Sequence, residues 1–196
     1  AHYNLGTIYL RQDMADKAVE QLKVVTELQP NHAEAHFNLG FIYFKRDLFD
    51  ESIKEYQKGL QIRPDMVKGH LSLAFIYEKK GMYKEAIAEY TTALNLGPKD
   101  QDIIQALGGA KAISKIKEDL KTAKPDAQSY IFLGHIYYAR GMYREAADSY
   151  NQALQYDPGN ETAKVSSQKA VVQMMESQQA KGRKIHEKSA PEPGKQ

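Results

Sequence analysis

Three histidines, His2, His36 and His70, stand at 34-residue intervals. Imidazole is the commonest metal ligand and titrates near neutral pH, so this spacing first raises metal binding or proton transfer. Zinc ligands must converge on one ion at about 2 Å each. Elements one period apart stack at roughly 8–10 Å. The three rings therefore read as packing groups at the seams between recurring units, with His32 at a unit junction and His186 in the C-terminal tail. The paired carboxylates Asp50-Glu51 and Glu118-Asp119 fall on polar helix faces and read as solvated surface. Leu107-Gly108-Gly109-Ala110 lacks both the glycine spacing and the preceding strand of a dinucleotide fingerprint. No nucleophile elbow, Walker loop or zinc-protease helix is present. The expectation is a chain with no catalytic residues, no metal and no cofactor.

Composition narrows the class. The 196 residues carry 27 basic and 25 acidic side chains, a net charge of +2, too balanced for a body built to bind nucleic acid. No stretch approaches the roughly 18 consecutive apolar residues of a membrane span. With no cysteine there is no disulfide framework, thiol nucleophile or cysteine metal site, and the redox compartment stays open. Ala1-His2-Tyr3-Asn4-Leu5-Gly6 already looks like helix interior, so the natural chain is expected to start earlier. A signal, anchor or further domain, and a cytoplasmic or exported (periplasmic) location, all remain open, as does oligomeric state.

The elements that position these residues recur. Leu5-Gly6-Thr7-Ile8-Tyr9 aligns with Leu39-Gly40-Phe41-Ile42-Tyr43, Leu73-Ala74-Phe75-Ile76-Tyr77 and Leu133-Gly134-His135-Ile136-Tyr137. Each copy continues with a small residue (Ala18, Ser52, Ala86, Ala146), a large one (Leu22, Tyr56, Tyr90, Tyr150) and a proline (Pro30, Pro64, Pro98, Pro158). In the third copy Leu71, Leu73, Ala74, Ile76 and Tyr77, then Tyr83, Ala86, Ile87, Tyr90, Ala93 and Leu94, fall at helical spacing on either side of Lys80-Gly81. Each unit is two amphipathic helices and a turn. Gly6, Gly40, Ala74 and Gly134 let a neighbouring helix approach, and the prolines punctuate the boundary.

This period and order of small and large residues resemble the tetratricopeptide repeat. The resemblance implies an all-α solenoid, a right-handed superhelix of helix-turn-helix units, of the bacterial adaptor type. The units are 1–32 (N-terminally truncated), 33–66, 67–100 and 127–160. In the family, tryptophan is usual in the slot held here by His2, His36 and His70.

Between the third and fourth copies the period shortens, leaving 101–126 as a degenerate unit. Its apolar stripe is Ile103, Ile104, Leu107, Ala110, Ile113, Ile116 and Leu120. It reads either as one long helix or as a hairpin broken at Gly108-Gly109, with a second helix from Ala110 to Ala123. The hairpin is preferred, because a lone helix delivers the chain to the wrong end of the stack. A capping helix is expected over 161–182, with Val165, Val171, Val172, Met174 and Met175 on its apolar side. A basic, disordered tail is expected over 183–196.

In the family the first helix of each unit lines a concave groove. The resemblance assigns that lining to Tyr3, Asn4 and Arg11, to Phe37, Asn38, Phe41, Phe44 and Lys45, to Lys68, Leu71, Phe75 and Lys79, and to His135 and Tyr138. Phe41 and Phe75 stand where the family often carries asparagine, and exposed phenylalanine needs a cover. Flanked by Arg11, Lys45, Lys68 and Lys79, they suit a protein segment with apolar anchors and acidic flanks, extended or helical. The two-lysine, two-asparagine, one-arginine carboxylate clamp of one subclass is disfavoured: Asn38 and Lys68 match it, but Tyr3, Thr7 and Ser72 do not. The expected function is a non-catalytic scaffold or adaptor with a protein or peptide partner, no nucleic acid and no membrane span. The alternative is the repeat portion of a longer enzyme, glycosyltransferase-like or lipopolysaccharide-assembling, presenting substrates to a catalytic domain.

Overall fold

The computed structural model describes residues 1–97, 100–122 and 125–189, with side chains through 180. The described residues form helices and connecting turns. The helices are α1 (His2–Arg11), α2 (Ala15–Leu28), α3 (Ala33–Lys45), α4 (Phe49–Ile62), α5 (Val67–Lys79), α6 (Tyr83–Leu96), α7 (Gln101–Thr122), α8 (Ala127–Ala139), α9 (Tyr143–Tyr156) and α10 (Glu161–Ser189). They divide into two compact units, 1–114 and 115–196.

In both units the first helix of each pair ends in the same hydrogen-bonded turn. Asp13, Asp47, Gly81 and Gly141 are left-handed, with φ of 60°, 58°, 72° and 69°. The next amide closes back over the helix end: Met14 N–H donates to the Tyr9 carbonyl, Leu48 to Tyr43, Met82 to Tyr77 and Met142 to Tyr137. This closing pattern satisfies the last carbonyls of the helix and favours glycine at the left-handed residue. Asp47→Gly is therefore expected to stabilise the chain by about 0.5–1 kcal/mol, and Gly81→Asp to lose a similar amount, read from urea unfolding midpoints. α3, α7, α8 and α10 begin on a side-chain cap, an amide being accepted by His32 (from Ala35), Asp100 (from Ile103), Asp126 (from Ser129) and Asn160 (from Ala163), whereas α1 and α5 have none. The Ser129 amide bond holds the Asp126 carboxyl below the usual range.

The first unit has two contiguous cores. Ala18, Leu22 and Val25 of α2 meet Ala35, Leu39 and Ile42 of α3, while Tyr56 and Leu60 of α4 join Leu73, Ile76, Ala86 and Tyr90, with Leu107 and Ala110 of α7. A Cβ on Gly40 would stand 2.8 Å from the Tyr56 ring, so the glycine is what allows α4 to lie close. Gly134 plays the same part for Tyr150 in the second unit, at 2.5 Å. Ser52 keeps its buried hydroxyl satisfied by donating to the Gly40 carbonyl at 2.7 Å.

The hairpin expected within 101–126 does not form. α7 runs unbroken from Gln101 to Thr122. Gly108-Gly109 lowers helix propensity by about 1 kcal/mol per residue, yet Ala110-Lys111-Ala112 supplies no capping residue to start a second helix. Buried Ile103, Leu107, Ala110 and Ile113 hold the stripe in one helix. Gly108 meets nothing within 4 Å of a built Cβ, unlike Gly40, because no second helix of its own unit lies over it. At the C-terminus α10 continues past 182 to Ser189, so the stretch expected as disordered tail is helical over 183–189. The remainder of that tail, 190–196, lies outside the described residues.

Candidate partner-binding groove

The periodic histidines settle into seams. His36 Nε2 donates to the Pro30 carbonyl at 2.9 Å, and its Nδ1 lies 2.6 Å from Glu55 Oε2. One repeat later His70 does the same with the Pro64 carbonyl at 2.9 Å and Glu89 at 2.6 Å. His2 meets Gln21 at 2.8 Å. Each ring thus ties a first helix to its own second helix, and His36 and His70 also tie back to the end of the preceding unit. Glu55 and Glu89 were missed in the sequence. The signal was there, since a Glu or Gln follows each of these histidines at the same 19-residue offset. Among the described residues no group of three His, Asp or Glu could hold a metal ion.

The expected groove residues separate into two sets. Tyr3, Phe37 and Leu71 share one register and belong to packing. The Tyr3 ring lies tilted against His32 with centroids 4.5 Å apart, Phe37 fits against Gly59 and Gly69, and Leu71 packs on the second core. Glu78, at the register of Phe44, is 2 % exposed and accepts the Tyr90 hydroxyl at 2.8 Å. The other set faces solvent on α3 and α5. Phe41 and Phe75 are 40 % and 42 % exposed. Lys45 Nζ lies 5.7 Å from the centre of the Phe41 ring, and Lys79 Nζ 5.4 Å from that of Phe75, each a cation over an aromatic face four residues back. Phe44 lies edge-on to Phe75 at 5.7 Å, with Phe49 on it at 6.1 Å.

The cations differ in their electrostatics. Arg46 pairs with Asp16 at 2.7 Å, Lys80 pairs with Asp50, and Arg63 pairs with Glu34 at 2.7 Å. Lys80 holds the Asp50 carboxyl below its usual range. Arg11, Lys45, Lys68 and Lys79 have no carboxylate partner among the described residues. Asn4 is exposed and Asn38 half-buried on the same helices. A shallow concavity of about 410 Å³ is lined by Gln29, Pro30, Asn31, His32 and Glu34 and includes none of the expected groove residues; His32 Nδ1 lies 3.5 Å from Glu34 there.

The second unit carries its own aromatic set. His135 is exposed and edge-on to Tyr150 at 5.5 Å, and Tyr138 lies edge-on to Tyr143 at 5.3 Å. Phe132, at the register of Asn38, is 54 % exposed. Among the described residues no helix is long and apolar enough to cross a membrane.

Helix pairs recurring with a glycine packed against a tyrosine, Gly40 on Tyr56 and Gly134 on Tyr150, define a helical repeat scaffold. Family models described as tetratricopeptide repeat match residues 1–32, 33–66, 67–100 and 127–160, and the chain belongs to that family. It is an all-α tetratricopeptide-repeat solenoid. No curated protein matches it in sequence. Among solved structures it is similar to YrrB, described as a TPR protein with an unusual peptide-binding site. That match has 16 % identity and a TM-score of 0.56, covering 85 % of this chain and 90 % of YrrB. A tetratricopeptide repeat protein from Parabacteroides merdae matches at 19 % identity and a TM-score of 0.48, over 87 % of this chain and 70 % of that one. At 16 % identity the likeness to YrrB is one of fold.

Proposed function

We propose that the chain is a non-catalytic adaptor that holds a segment of a partner protein against the α3–α5 face. The observation that carries this reading is the pair of exposed phenylalanines, each beneath a lysine that has no carboxylate partner among the described residues. Exposed aromatic area of this kind is removed from water when a partner covers it, and buried aromatic anchors dominate such interfaces. The cations favour acidic residues beside the apolar anchors. Support at the level of the scaffold comes from YrrB, whose description names a peptide-binding site on the same fold.

Phe41→Ala with Phe75→Ala tests it by affinity capture and mass spectrometry beside the wild type. Partners bound by the wild type should fall by at least about tenfold. The helical circular dichroism should persist, with stability lowered by under about 1 kcal/mol, since both rings are exposed. Unchanged capture, or loss of the fold, would overturn the assignment.

A further inference from the structure

One helix lacks the cover that its register receives elsewhere. Counted from the proline before each first helix, Val165, Gln168 and Val172 of α10 stand where α3 carries Phe37, Gly40 and Phe44. On α3 all three lie against the unit's own second helix, α4: Phe37 on Gly59 and Tyr56, Gly40 on Tyr56, and Phe44 on Phe49. α10 packs on α9 and buries its opposite side, Ala163, Ser167 and Ala170, with the Ser167 hydroxyl donating to Asn151 Oδ1 at 2.8 Å. Val165 and Val172 are left 46 % and 52 % exposed, and Met175, one turn on, 53 %.

A helix packed as in the complete units does not fit this face. There the slot of Gln168 holds glycine or alanine, and a Cβ on Gly40 or Gly134 would stand 2.8 or 2.5 Å from the second helix's tyrosine. Gln168 brings a whole side chain, so a covering helix must lie at the wider separation of interdigitating side chains, roughly 10 Å between axes. The spacing suits that arrangement. Val165, Gln168, Val172, Met175 and Gln179 alternate three and four residues apart, the seam of a two-helix coil, and all are exposed. The flanking charges then select a partner. Parallel copies of α10 would set Lys164 of one beside Lys169 of the other, twice. Antiparallel copies with Val172 opposite Met175 bring Lys169 beside Glu176 of the second copy, twice by symmetry, and put Gln168 opposite Gln179. Lys164 pairs with Glu161 of its own helix at 2.8 Å, whereas Lys169 and Glu176 make no ion pair among the described residues.

We infer that the outer face of α10 is a self-association surface, on which two copies of the chain pair antiparallel with Val172 and Met175 at the centre and Lys169 and Glu176 exchanged across the seam. The inference is independent of the groove proposed above. Both helices are folded before they meet, so pairing carries no helix-nucleation cost. The seam is short, which makes the dimer a weak and reversible one.

Sedimentation equilibrium of the whole chain, from about 5 to 500 µM, tests it, and a monomer–dimer equilibrium with Kd on the order of 10–100 µM is expected. Val172→Glu, at a half-exposed position, should keep the helical circular dichroism and the urea midpoint while weakening dimerisation at least about thirtyfold. Lys169→Glu and Glu176→Lys each turn two attractive pairs into two repulsive ones, and each should weaken the dimer about tenfold. An equimolar mixture of these two variants should associate more tightly than either alone, because the mixed antiparallel dimer restores both pairs. A chain that stays monomeric throughout, or a dimer indifferent to Val172→Glu, overturns the proposal. A dimer that Lys169→Glu tightens overturns the antiparallel direction in favour of the parallel one. A mixture no tighter than its components overturns the exchange of Lys169 and Glu176. A monomer that captures a different protein through Val172 overturns self-association in favour of a foreign helix on the same face.

Discussion

Gly59→Ala is expected to destabilise the chain by about 2 kcal/mol, although alanine in place of glycine ordinarily stabilises a helix by roughly 1 kcal/mol. A Cβ at Gly59 would stand 2.5 Å from Phe37 Cε1 and 2.7 Å from Cδ1. The ring cannot retreat, because a Cβ built on Gly69 would meet the same Cε1 at 3.0 Å and Tyr56 closes in with ring centres 6.2 Å apart. Two glycines on successive helices thus make one slot for one ring. Equivalent registers elsewhere hold larger residues around a smaller or differently placed group, as with Val25 and Ala35 beside Tyr3. Phe37→Leu alone creates a partial void and is expected to cost about 1 kcal/mol. Combined with Gly59→Ala it should recover most of the loss, giving a coupling of about 1–2 kcal/mol in a double-mutant cycle measured by urea denaturation. Additive losses would show that Phe37 is not what Gly59 accommodates.

His36→Ala should lower stability by roughly 3 kcal/mol. The imidazole is hydrogen-bonded on both sides, its side chain is 6 % exposed, and its partner Glu55 is 14 % exposed. Removing it leaves the Pro30 carbonyl without a donor and Glu55 with only Lys58, at 2.8 Å. Three pieces of chain lose their common fastener: α3, α4 and the end of the first repeat. His70→Ala is expected to cost less, because its partner Glu89 is 24 % exposed and better reached by water. His2, exposed and bonded only to Gln21, should matter least, by about 1 kcal/mol or below. Glu55→Gln reproduces the pairing of the first repeat and should cost only about 1 kcal/mol. Chemical denaturation of the four variants checks the order. Because each repeat draws stability from its neighbours, hydrogen exchange in His36→Ala should rise first in α3 and α4.

The exposed phenylalanines of α3 and α5 show how far a sequence can be read toward a candidate site. Phe41 and Phe75 stood out because they stand where the resembled family often carries asparagine, and the structure leaves both exposed under lysines. Phe37 looked equally suited to a groove, since it lies on the same helix and is equally aromatic. Its burial against Gly59 and Gly69 depends on two residues far along the chain whose smallness has meaning only once α4 and α5 lie beside it. Glu78 was likewise indistinguishable from a surface acid until the Tyr90 hydroxyl was placed against it.

Periodicity by itself determined the all-helical class, the paired helices and the small-against-large contacts of Gly40 with Tyr56 and Gly134 with Tyr150. Those features rest on local spacing repeated every 34 residues, and repetition turns weak local preferences into a firm pattern. Tertiary structure alone decided that 101–122 is one helix, that the histidines reach Glu55 and Glu89, and which aromatic side chains stay in solvent. Each of these is a competition between a local preference and a neighbour brought close by folding. Gly108-Gly109 favours a break, but the apolar stripe packed on the second core favours continuity, and burial is the larger of the two.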